Sequence, residues 1–220
     1  MRENFTISPE NHLMVHGVDL YYLSKKIGTP IYVFDEDLLI KKLTIFTDAF
    51  KSHYQKFITS YSIKTNNNLA LCKILIDNGA YAEVATEMDL FVAEKLGIPG
   101  KKIIFDGNFK TEEMIRKAIS MEVSIINVES FTELKRINDI AGKLDVVQSI
   151  GLRINTWKPQ SFYNYLRPSS IEELVYCNPT SRFGLSVNDT LEILRTSTNY
   201  RNVKICKVRF LTLHFSNGEH

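Results

Sequence analysis

The residues with chemistry to offer stand at intervals, each just after a run of β-branched or aromatic residues. They are Lys64, then Glu83 and Thr86, Asp106 and Asn108, Asn127 and Glu129, Arg153 and Asn155, and last His214, Ser216 and Asn217. Lys64 follows the apolar run FITSYSI and precedes TNNN, which puts its amine at a boundary between core and polar rim. Only a neutral amine attacks an aldehyde, and burial or a neighbouring cation favours the neutral form. For a single lysine the plainer reading is a solvated side chain at a strand end. The histidines, His12, His16, His53, His214 and His220, are scattered, and no HExxH, Walker loop or GxGxxG is present, so the sequence implies no protein-bound metal.

These side chains need a scaffold, and its pattern begins near residue 55. Short runs predicted as strands, KFITSY (56–61), YAEVA (81–85), KIIFD (102–106), VSIIN (123–127), SIGLRI (149–154) and VRFLTLHF (208–215), enclose amphipathic stretches. NLALCKILIDNG, TEMDLFVAEKLG, TEEMIRKAIS and SFTELKRINDIAG space their apolar residues three and four apart, and several begin at Asn, Thr or Ser and end at Gly. Strand ends recur about every 21 residues, the length of one β/α unit of a barrel. An open doubly wound sheet shares the local grammar, but the regular repeat favours the barrel. Polar groups at the carboxyl ends of barrel strands form the working face, and alternation pairs Arg153 with Asn155 and His214 with Ser216.

The same reading divides the chain into a lead-in over 1–52, predicted as helix, strand and helix, and a β/α region over 53–220. HGVDLYYLSKKIG and IYVFDEDLLIKKLTIFTDAF carry the lead-in, and 155–182 form a long insertion rich in aromatics and turn formers. Six predicted strands fall short of the eight that close a barrel. Charge is nearly balanced, 27 basic against 25 acidic residues, without the like-charged run that a nucleic-acid surface calls for. The opening MRENFTISPENHLMV lacks the apolar core of a secretory signal, and no stretch approaches a membrane span. Cys72, Cys177 and Cys206 form no CxxC pair, in keeping with a reducing cytoplasm.

The wording of several segments narrows the reading. YSIKTNNNLALCKILIDNGAYAEVATEMDL resembles the cofactor-lysine segment of the pyridoxal-phosphate (PLP) decarboxylases of the diaminopimelate, ornithine and arginine type, with its tyrosine, two small or apolar residues, lysine and asparagine. TPIYVFDEDLL resembles the family's opening segment, and IIFDGNFKTEEMIRKAI its third strand with a Gly-Asn-x-Lys turn. INVES and LRIN are similar to its fourth and fifth strands, SRFGL to its serine-basic-Phe-Gly motif, and LTLHF to its histidine-bearing sixth strand. The matches keep their order from about residue 15 to residue 218, and their wording favours the diaminopimelate branch over the racemases that share the barrel.

The resemblance implies a TIM-barrel-like (β/α)8 fold of the alanine racemase type, cut short after about six strands. It implies pyridoxal 5'-phosphate as cofactor, with Lys64 forming the Schiff base and moving protons at the substrate's α-carbon. Glu83 stands where the family often has aspartate and Arg153 where it has an arginine of the same charged network; a structural ion pair between them is the competing reading. The family's usual sixth-strand ending, His-x-His-Ile-Gly-Ser, is replaced by His214-Phe215-Ser216-Asn217-Gly218-Glu219. Ser216 thus occupies the place of the stacking histidine, or a register shift of two lets His214 stack, and Glu219 brings a carboxylate where phosphate is received. The family's glycine-rich phosphate loop, its acidic partner for the pyridine nitrogen and its carboxyl-terminal β-domain lie beyond the segments matched. The implied activity is decarboxylation of an amino acid, diaminopimelate to lysine, by a cytoplasmic homodimer when full-length. The alternatives are a carboxynorspermidine or ornithine-type substrate, or a shortened, non-catalytic PLP barrel.

Overall fold

A computed structural model describes residues 4–155 and 183–210. The chain divides into two compact units, Met1–Phe57 and Ile58–His220. In the first, strands β1 (Phe5–Ile7), β2 (Leu13–Val15) and β3 (Val18–Asp19) form a small antiparallel sheet in that order. Helix α1 (Leu20–Ile27) starts at Asp19, whose carboxylate accepts from the Tyr21 and Tyr22 N–H groups. Helix α2 (Glu36–Lys51) starts at Asp35. The two helices fall where the periodicity predicts them, but the strand predicted over IYVF does not form, and β1 to β3 were not foreseen. Tyr32 is 92% exposed, and β-propensity without a ladder partner does not make a strand.

The second unit is a parallel sheet of strands β4 (Ser60–Ser62), β5 (Tyr81–Val84), β6 (Ile103–Phe105), β7 (Ile125–Val128), β8 (Gln148–Ile154) and β9 (Val203–Phe210). Their spatial order is their chain order, with every neighbouring pair parallel. A doubly wound sheet would reverse direction at a switch point, so sequential winding removes that alternative. Between the strands lie α3 (Leu69–Asp77), α4 (Glu87–Lys95), α5 (Glu112–Ser120), α6 (Phe131–Lys143) and α7 (Val187–Arg195). The first four begin at the residues predicted, Asn68, Thr86, Thr111 and Ser130, and the fifth at Ser186; all five side chains accept hydrogen bonds from first-turn N–H groups. At α4 the box is reciprocal, Asp89 binding back to the Thr86 N–H at 3.0 Å. Thr86→Ala is expected to lower stability by about 1 kcal/mol, read from the urea midpoint.

The sheet's two faces differ. Ala82, Val84, Ile103, Phe105, Ile126, Val128, Ile150 and Leu152 are fully buried. Burial of each larger side chain there contributes about 1.5–3 kcal/mol, which holds the helices to the sheet. Their alternates form the other face, where Ser62, Glu83, Asn127, Gly151, Arg153, Lys207 and Arg209 stand with the apolar Ile104 and Ile125. Strands buried in parallel sheets usually read apolar on both faces, so this polar row marks a site. The last strand begins five residues before its predicted start and carries a bulge: Ile150 pairs with Ile205 but Gly151 with Lys207, leaving Cys206 as the extra residue.

Candidate functional site

Lys64 lies in a 3-10 turn, Ile63–Thr65, directly after β4. Ile63 is fully buried and fixes one side of the turn. On the other side the Asn66 carbonyl accepts from the Tyr61 hydroxyl at 3.0 Å and from the Cys72 thiol at 3.5 Å. Burial pushes both of those acids up, so both remain protonated donors. Asn66 in turn receives the Asn68 N–H, and Asn68 caps α3. The turn is therefore pinned, yet Lys64 itself is exposed, and the desolvation expected of its amine is not seen.

Beside it, the Ser62 hydroxyl donates to Glu83 at 3.2 Å. Glu83 also faces Arg209 at 3.5 Å, and Arg209 forms an ion pair with Asp106. The Asn127 amide donates to Asp106 at 2.9 Å. A Cβ on Gly151 would lie 2.3 Å from the Asn127 carboxamide oxygen, so only glycine lets that amide lie across the neighbouring strand. Lys207 stands beside Gly151, and burial pulls its pKa down against the pull of Glu83.

Arg153 pairs with Glu129, the residue directly after adjacent β7, not with Glu83. Two strands separate β5 from β8, which is why the predicted Glu83 to Arg153 pair does not form. The other Glu129 oxygen accepts from the Gly184 N–H at 3.0 Å, and the Arg153 guanidinium lies 5.5 Å from the centre of the Phe183 ring. Two buried side-chain atoms on this face, the Arg153 Nε and the Asn127 Oδ1, have no hydrogen-bond partner among the described residues. Of the remaining expected residues, Asp106 and Asn155 are buried while Thr86 and Asn108 are exposed.

His214, Ser216 and Asn217, with most of the 155–182 insertion, lie outside the described residues. Among the described residues no cluster of His, Cys, Asp or Glu could hold a metal ion, and no helix is long and apolar enough to cross a membrane. The sequence reading passes over Lys207, which stands one residue before the predicted strand start, and Arg209, which lies inside that strand. Their alternation within VKICKVRF was the available signal. It also read Lys110 as a turn residue, whereas Lys110 is 1% exposed and paired with Glu133 at 2.9 Å.

The model of the pyridoxal-dependent decarboxylase family's pyridoxal-binding domain matches residues 39–215. Diaminopimelate decarboxylase of Aquifex aeolicus is 28% identical over 196 residues, 89% of this chain and 44% of that protein. The same enzyme of Methanocaldococcus jannaschii is 34% identical over 150 residues, 66% of this chain and 34% of that protein. The crystal structure of M. jannaschii diaminopimelate decarboxylase in complex with L-lysine superposes with a TM-score of 0.81 at 27% identity, covering 94% of this chain and 47% of that one. The chain thus spans less than half the length of the relatives it matches.

Proposed function

Given that the chain belongs to the pyridoxal-dependent decarboxylases, through their pyridoxal-binding domain, we propose that it is the cofactor-holding part of an amino-acid decarboxylase that converts diaminopimelate to lysine. The observation that carries this reading is the placement of Lys64: an exposed primary amine on a pinned turn, directly after the first strand of a sequentially wound parallel sheet that bears a polar row. The residues fit PLP in kind. An aldehyde needs an accessible amine, and an anionic phosphate is matched by a face that holds Arg153, Lys207 and Arg209, where the Arg153 Nε–H has no partner among the described residues. When bound, PLP supplies the electron sink for the pair left as the α-carboxylate departs.

The chain's own residues then divide the work. Lys64 would hold the cofactor at its aldehyde carbon and would move a proton at the substrate's α-carbon. Glu83, fixed by Ser62 and facing Arg209, sets the charge next to Lys64's strand, and Arg153 extends the charged row toward the far strands. His214 and Ser216 are assigned to ring stacking and phosphate contact on the strength of the sequence resemblance. The sheet continues in a barrel of the family's type, and the assembled protein is a cytoplasmic homodimer acting on a small amino acid. The test is release of carbon dioxide and lysine from diaminopimelate by the protein supplied with PLP. Turnover of ornithine or carboxynorspermidine in its place would overturn the substrate, and no turnover of any of them would overturn the decarboxylase reading.

A further inference from the structure

Four successive connections at the carboxyl edge of the sheet, those after β5, β6, β7 and β8, are tied by one close backbone approach and a run of polar contacts. Gly107, after β6, approaches the Ala85 carbonyl after β5 so closely that a Cβ would lie 2.2 Å from it. The Gly107 carbonyl accepts from the Lys110 amine at 2.5 Å, and the same amine meets Glu133 Oε1 at 2.9 Å. Glu133, in the first turn of α6, uses its other oxygen to accept the Glu129 backbone N–H at 2.8 Å. Arg136, one turn on, donates to the Lys110 carbonyl at 3.1 Å. Glu129 then holds Arg153 and the Gly184 N–H, which closes the run at the connection before α7.

A buried ion pair is a poor way to gain stability, because desolvation offsets most of the attraction, and apolar replacements of similar volume often serve as well. Burial pulls the Lys110 pKa down, and Glu133 opposes that pull only in part. What the pair does achieve is geometric: with the Arg136 bond to the Lys110 carbonyl it joins the β6 connection to α6, and through Glu133 it reaches the backbone of Glu129. We infer that Lys110 and Glu133 are positioning residues, which set the place of the Arg153 guanidinium on the polar row by fixing Glu129. This rests on the proposed cofactor site for its consequence, though not for its geometry.

The test uses the whole chain with PLP as the probe, and compares two double variants that both remove the buried charges. Lys110→Met with Glu133→Leu leaves the Glu129 N–H without an acceptor, whereas Lys110→Met with Glu133→Gln keeps an amide oxygen for it. Both are expected to unfold at urea concentrations close to wild type. The Leu variant is expected to bind PLP about tenfold more weakly, since a displaced positioning group loses binding and rate out of proportion to its distance. The Gln variant is expected to bind as wild type does. The Arg153 Nε–H resonance in nitrogen-15 NMR should move in the first and stay in place in the second. An unmoved resonance in the Leu variant, or equal loss in both variants, overturns the inference. Should the Leu variant fail to fold, Glu129→Gln weakens the same link, and wild-type PLP affinity with an unmoved Arg153 resonance in it counts as refutation. Failure of the wild type to bind PLP would sink the cofactor reading alone, because the resonance comparison needs no ligand.

Discussion

Lys64→Ala is expected to leave the fold intact and to remove covalent cofactor attachment altogether. The side chain is exposed, and among the described residues its amine makes no hydrogen bond or ion pair, so stability should change by no more than about 0.5 kcal/mol. The turn that carries it is held by Ile63 and by the two donors to the Asn66 carbonyl, none of which the substitution touches. Wild-type protein mixed with PLP should develop visible absorbance, and borohydride should then fix a mass increase on the peptide containing Lys64. The variant should show neither. Loss of the group that would deliver a proton to the α-carbon after carbon dioxide leaves should lower decarboxylation by at least about 10²–10⁴-fold. A fixed adduct on Lys207, the half-buried amine on the polar row, would show that the wrong lysine was assigned.

Gly107→Ala is expected to be the most damaging single-methyl substitution near the site. Its Cβ would meet the Ala85 carbonyl oxygen at 2.2 Å and the carbonyl carbon at 3.2 Å, and backbone atoms cannot rotate away as a side chain can. Overpacking of this kind costs about 1–3 kcal/mol, and here the upper end applies because the connection must move as a body. Gly151→Ala is the informative comparison. Its clash is with the Asn127 carboxamide, which can turn at the expense of its bond to Asp106, so a smaller loss is expected. Urea unfolding followed by circular dichroism gives both numbers. A Gly107→Ala midpoint equal to or above that of Gly151→Ala would contradict the close approach of the two connections.

The repeating sheet was readable in advance because local signals agreed with one another. Asn68, Thr86, Thr111 and Ser130 announce helix starts, and the apolar runs between them have strand length. Pairing was not readable, because a partner depends on strand order: nothing in the local sequence says that Arg153 lies beside Glu129 rather than Glu83. The sixth strand was misplaced for a different reason. VKICKVRF is broken by Lys204, Lys207 and Arg209, which look like surface residues, while the following LTLHF looks more like core. In the structure Lys207 and Arg209 are what the strand contributes to the row. The burial of Lys110 was equally hidden, since Gly-Asn-Phe-Lys reads as an ordinary turn and its partner Glu133 arrives from the next helix.

The extra residue at Cys206 bears on how the chain tolerates change in length. Elsewhere in a strand, losing one residue rotates every later side chain to the opposite surface. At the bulge the count is already two against one, so a relative one residue shorter at this point keeps Lys207 and Arg209 turned the same way. Alignments of relatives should therefore admit a gap here without inferring that the polar row has been lost.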